Sequence, residues 1–216
     1  MKLYSIGDSH ADHSFRNIIK EEADRVNIGP VTMNKVRRDK IDFLELYKEH
    51  RDVEKFGYKK EFEKDSCAIF CFGEIDVRCH IHNQIHLQNK RENDVIEELV
   101  LEFVNHIENQ KNILKKVAIL SVTPPGSILW ASQNNSFPFV GSDFDRSRYT
   151  IKMNNFLKKY CEEKDINFID VYKNYSDSKG MLIRELSDGN VHIGSTVHVE
   201  NKIKKIYNDI NITSSI

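Results

Sequence analysis

Three stretches of this chain gather the residue types that acyl chemistry uses. Gly7-Asp8-Ser9-His10, near the N-terminus, sets a hydroxyl beside a carboxylate and an imidazole. The run Gly73-Glu74-Ile75-Asp76-Val77-Arg78-Cys79-His80 crowds carboxylates, a guanidinium and an imidazole together. Asp188-Gly189-Asn190-Val191-His192 places a second imidazole shortly after a carboxylate. Gly29-Pro30 and Thr123-Pro124-Pro125-Gly126 add tight turns. A serine hydroxyl is a weak nucleophile and needs a base within hydrogen-bond reach, and glycine lets a ligand approach the main chain closely. His82 and His86 stand four apart, with His80 just before them, but no companion carboxylate or cysteine completes a recognisable set. No metal site is expected.

The hydrophobic pattern shows what must position these residues. Leu3 to Ile6, Val26 to Pro30, Cys67 to Phe72, Val117 to Val122 and Asn167 to Val171 read as five short strands. Between them come helical spacings: Phe15, Ile18 and Ile19; then Ile96, Leu99, Val100, Phe103 and Ile107 across 94–111; then Ile151, Phe156, Leu157 and Tyr160 across 149–164. A last helix is expected over 195–210, and Lys35 to Lys64 reads as charged surface helix and loop. Residues 127–148 form the longest stretch without periodicity, with Trp130, Phe137, Phe139 and Phe144 as material for an aromatic lid or a packed loop. Continuously apolar strands alternating with helices predict a parallel sheet covered on both faces, a three-layer α/β/α sandwich of the flavodoxin-like type. In such sheets ligands bind beyond the carboxyl ends of the strands, where the polar clusters fall. No repeat or linker divides residues 1–216, so a single domain is expected.

Composition narrows the partners. The formal net charge of −1 gives no electrostatic reason to expect nucleic acid or an anionic membrane. No apolar run approaches the roughly 20 residues that span a bilayer, and the N-terminus turns polar too early for a secretory leader. A cytoplasmic protein is expected. Cys67, Cys71, Cys79 and Cys161 show neither a C-x-x-C pair nor a zinc spacing and read as reduced thiols.

Gly-Asp-Ser straight after the first strand, with a late Asp and His before the final helix, resembles the SGNH/GDSL hydrolase superfamily over nearly the whole chain. That resemblance implies Ser9 as nucleophile, His192 as general base and Asp188 as the carboxylate that orients it. It also implies that the backbone amides of Ser9 and Gly29 serve the developing oxyanion. Three departures stand out. His10 follows the serine where leucine is common, a change of little consequence if the ring only packs or points to solvent. The third block reads Gly73-Glu74-Ile75-Asp76 where the family usually has G-x-N-D, so Ile75 replaces the oxyanion-binding asparagine. The late block is one residue longer than D-x-x-H.

Gly73, Asp76, Arg78 and His80 are accordingly candidates for the oxyanion or for an anionic part of the substrate, although Asp76 and Arg78 would also suit a structural ion pair. Ser9 would equally suit a helix N-cap, and Asp188 a turn. The altered third block resembles a subgroup associated with glycan synthesis. The expected function is therefore acyl transfer from an acyl-CoA, acetyl-CoA above all, to a sugar or sugar nucleotide, with no bound cofactor. Hydrolysis of carbohydrate O-acyl esters by the same residues is the alternative, and a non-catalytic glycan-binding module the third reading.

Overall fold

The computed structural model describes residues 2–18, 23–49, 63 and 65–207. Five strands form one parallel sheet: β1 (Leu3–Gly7), β2 (Ala23–Asn27), β3 (Cys67–Cys71), β4 (Lys116–Leu120) and β5 (Asn167–Ile169). Their spatial order is β2-β1-β3-β4-β5. The order reverses between β1 and β3, so the crevice that open α/β sheets use for ligands lies where those two strands end.

The strands are apolar throughout because both faces are covered. Alternate residues point to opposite sides, and the two sides build separate cores. Tyr4, Ile6, Ala68, Phe70, Val117 and Ile119 face one core, and Leu3, Cys67, Ile69, Cys71, Ala118 and Leu120 the other. Helices α2 (Met33–Asp39), α3 (Phe43–Glu49), α4 (Ile81–Gln88), α5 (Glu92–Glu108) and α6 (Asp143–Glu163) lie at the first core. Helices α1 (Ser9–His13), α7 (Tyr172–Tyr175) and α8 (Val197–Ile206) close the second. The result is the three-layer sandwich that the alternation of strands and helices predicts.

Several elements differ from the sequence reading. Strand β2 runs Ala23–Asn27 rather than over Val26 to Pro30, and α1 runs Ser9–His13, ahead of Phe15 and Ile18. Helix α6 begins at Asp143, inside the stretch expected to be irregular. Ser142 and Asp145 form a reciprocal capping box there, which satisfies orphan amides and starts the helix ahead of its first inward-facing apolar residue. Residues Asp76–His80 form a wide π-helical turn that runs directly into α4, where no helix was expected. Polar residues at 74, 76 and 78 hide helical periodicity, because their partners lie in the protein rather than in water. The charged stretch beyond residue 49 and the end of the expected last helix beyond residue 207 lie outside the described residues. Among the described residues, no helix is long and apolar enough to cross a membrane. All four cysteines are free and buried.

Candidate active site

The serine turn is built by strand packing. A Cβ on Gly7 would lie 2.0 Å from the Cys71 carbonyl oxygen, so only glycine lets β1 end so close to β3. Asp8 then caps α1: its side chain accepts from the His10 amide at 2.8 Å. The cap is Asp8 and not Ser9, which leaves Ser9 as the first helical residue. Its N–H meets no acceptor among the described residues, as expected for an amide at a helix start. Ser9 Oγ lies 2.8 Å from His192 Nε2.

His192 is presented by a small hairpin. Ser187 and Ile193 form an antiparallel bridge, and the Asp188 amide donates to the His192 carbonyl at 3.0 Å. Gly189 takes φ +87°, where a side chain would be strained. Asp188 serves both the turn and the ring. Its Oδ1 accepts from the amides of Asn190 (2.9 Å) and His192 (3.3 Å), while its Oδ2 lies 2.9 Å from His192 Nδ1. The extra residue in the late block is thus absorbed by the turn without separating carboxylate from imidazole. Burial, followed by the neighbouring His10 charge, pushes the His192 imidazole down to about 4 against the pull of Asp188.

The remaining candidates are placed otherwise than expected. The Gly29 amide is already engaged, donating to Asn27 Oδ1 at 2.9 Å in a local turn. Gly73, at φ +110°, is packed against Val122, Met33 and Met153 with no room for a side chain. Asp76 Oδ2 accepts from the Met33 amide at 2.8 Å and its Oδ1 from Asn34 at 3.4 Å, so it holds the start of α2. Burial pushes its carboxyl up to about 7, against those amide bonds. Arg78 is not paired with Asp76. Its Nε and Nη2 donate to Glu74 at 2.7 and 3.0 Å, and its Nη1 to the Phe137 carbonyl at 2.8 Å. It therefore ties the 137–140 segment to the π-helical turn, with internal acceptors on Nε, Nη1 and Nη2, as a guanidinium this buried requires. His80 is exposed and borders, with Asp76, a cleft of about 380 Å³ between α2, α4 and α5 that Ser9 does not line.

The aromatic stretch is likewise divided. Phe139 lies between the guanidinium groups of Arg78 (5.5 Å) and Arg146 (5.0 Å), Trp130 packs against the second core, and Phe144 projects to solvent from the first turn of α6. Trp130, Phe139 and Phe144 thus go to three different surroundings.

Two further residues join the site: His13, which the sequence reading passed over, and His10, which it took to be of little consequence if the ring only packs or points to solvent. His13 stacks on His192 with ring centroids 3.8 Å apart and planes 12° apart. Its spacing from Ser9, four residues along a helix, was the available signal. His10 is buried between Asp8 and the Val191 carbonyl. Among the described residues, His13, Asp188 and His192 form the only set of three metal-ligand atoms within 4.8 Å of one another. Those atoms are already used: Arg16 donates to His13 Nδ1, and His192 Nδ1 is bonded to Asp188.

No protein-family model matches the sequence, and no curated protein matches it. Solved structures do match in shape. A GDSL-like lipase from Bacteroides thetaiotaomicron is 15% identical with a TM-score of 0.58, over 96% of this chain and 87% of the other. An acetyl-xylooligosaccharide esterase from Geobacillus is 14% identical with a TM-score of 0.51, over 98% and 94%. The OSK domain of Drosophila Oskar is 12% identical with a TM-score of 0.51, over 95% and 86%. The sheet order, the layers and these neighbours together make the fold of this chain that of the SGNH/GDSL hydrolases.

Proposed function

We propose that the protein is a serine esterase that removes short acyl groups from carbohydrate hydroxyls. The observation that carries this reading is the continuous relay from Ser9 Oγ to His192 Nε2 (2.8 Å) and from His192 Nδ1 to Asp188 Oδ2 (2.9 Å). Ser9 Oγ attacks the ester carbonyl carbon while His192 Nε2 takes its proton, and Asp188 holds the ring in the tautomer that leaves Nε2 free to accept. His192 then returns the proton to the departing sugar oxygen. Water, deprotonated in its turn by His192, releases the acyl group from Ser9 as the acid.

The Ser9 amide, at the start of α1, would serve as an oxyanion donor. Ile75 supplies none, and Gly29 would have to leave Asn27. Loss of a single such donor costs on the order of 10²- to 10³-fold in turnover, so small, reactive acyl groups are the suitable substrates.

Transfer from acetyl-CoA to a sugar would use the same residues. Hydrolysis is preferred because the fold neighbours named for a reaction are a lipase and an esterase. The test is acetate release from acetylated xylooligosaccharides, run beside CoA release from acetyl-CoA with sugar nucleotides as acceptors. Acetate release lost in Ser9→Ala and His192→Ala supports the esterase. Acceptor-dependent CoA release overturns it in favour of the transferase.

A further inference from the structure

His10, the residue after the serine, is 4% exposed and has no place in the relay. Its two ring nitrogens face acceptors only. Nδ1 lies 3.0 Å from Asp8 Oδ1, and Nε2 lies 3.4 Å from the Val191 carbonyl oxygen. A neutral imidazole owns one N–H and can satisfy one of these; both are satisfied only by the imidazolium. Burial opposes that charge, but Asp8 and then Glu74 outweigh it, and the His10 pKa is raised.

The ring is also a bridge. It hangs from the serine turn at one end and holds, at the other, the carbonyl of the residue immediately before His192. The His10 and His192 rings are 4.7 Å apart. We propose that His10 is a positioning residue: it fastens the His192 hairpin to the serine turn, and its positive charge sets the pH below which His192 stops accepting the serine proton. This rests on the esterase reading above.

The groups that face the pair come from every neighbouring element. Asp8 and His13 come from the serine turn and α1, Glu74 from beyond β3 with Arg78 paired to it, and Asp188 from the hairpin. Asp8 and Asp188 favour a proton on His192, whereas burial and His10 oppose it. A cation close to His192 lowers its affinity for a proton, so removing that cation must raise it.

The experiment compares wild type, His10→Leu and His10→Gln across about pH 3 to 8, which brackets both the depressed His192 ring and the ordinary histidine range. It reads kcat/KM for a chromogenic acetyl ester and, by NMR, the titration of the His192 ring in the resting protein. Glutamine keeps a donor for the Val191 carbonyl without the charge, and it guards against a leucine variant that fails to fold. The expected result is that the acid limb and the ring titration both move to higher pH by about one unit in both variants, with roughly tenfold lower activity on the acid side. An unmoved His192 titration overturns the proposal, whatever happens to the plateau rate. The NMR arm needs no turnover, so wild-type protein without Ser9-dependent hydrolysis would remove the esterase reading and leave His10 to be judged separately.

Discussion

Two groups of interacting polar side chains flank the end of β3, one buried and one partly open to solvent, and they are organised in opposite ways. On one side Glu74, Arg78 and Arg146 lock the 137–143 segment in place: Arg78 grips Glu74 and the Phe137 carbonyl, and Arg146 grips Asp143 and the Gly141 carbonyl. Every contact there joins a permanent donor to a permanent acceptor, since a guanidinium never gives up its charge. On the other side Ser9, His192 and Asp188 are joined by hydrogen bonds whose protons can change owner, because the central imidazole has two states. Side-chain hydrogen bonding thus makes a clamp in one place and, on the proposed esterase reading, a proton path in the other. The difference is whether the middle residue can titrate.

The sharpest way to break this contrast is Ser9→Ala. Ester hydrolysis should fall by roughly 10⁴-fold or more with the melting temperature nearly unchanged, measured by acetate release and calorimetry. Asp188→Asn should lower kcat by up to roughly 10⁴-fold, since an amide can hold the ring in the wrong tautomer. Retention of full activity there would detach the carboxylate from the relay. Arg78→Met should do the reverse. Leaving Glu74 buried without its partner costs about 3 kcal/mol or more, or roughly 6 °C or more in melting temperature for a domain of this size, while activity per folded molecule stays close to wild type. A large fall in kcat without loss of stability would move Arg78 into the site after all.

Smaller effects refine the picture. With its imidazole pushed down to about 4, wild-type His192 stays neutral, and so competent as a base, well below the usual histidine range. kcat/KM should therefore hold level from neutral pH to about pH 5 and decline only below it; a limb near the ordinary histidine value would contradict the burial of the ring. His13→Ala should slow turnover a few-fold, in line with about 1 kcal/mol for a stacked ring pair. Asp76, raised to about 7, binds a proton more readily folded than unfolded. Its contribution is therefore present in acid and is lost as pH rises toward 7, and Asp76→Asn should flatten that part of the stability profile in denaturant titrations.

The same two regions differ in how much of them a sequence discloses. The five strands and the three layers were legible because a short, continuously apolar run bounded by turns must be buried on both sides. Ser9 and His192 were singled out through the resemblance of their motifs to the SGNH/GDSL superfamily, and the structure brings the two side chains within hydrogen-bond reach. The π-helical turn was not, since its charged residues are satisfied by groups distant in the chain: Asp76 by α2, and Arg78 by Phe137. Nor was the start of α6, where a cap outweighed an unpatterned sequence. His10 illustrates the limit best. As a lone letter it reads as a surface or packing residue, and only the positions of Asp8 and Val191 give it a charge.

One last consequence belongs to Gly7. The three letters Gly-Asp-Ser meet three unrelated demands: clearance between adjacent strands, closure of a helix end, and reactivity. A methyl group at position 7 would leave the chemistry of the other two intact yet wedge β1 away from β3, and the displacement would be passed along the backbone to Ser9, two residues on. Such a motif behaves less like a catalytic signature than like a mechanical joint with a reactive tip. A chain can therefore retain all three letters for reasons of assembly alone, and the distance from the tip to an imidazole at the far end of the chain is what separates the two cases.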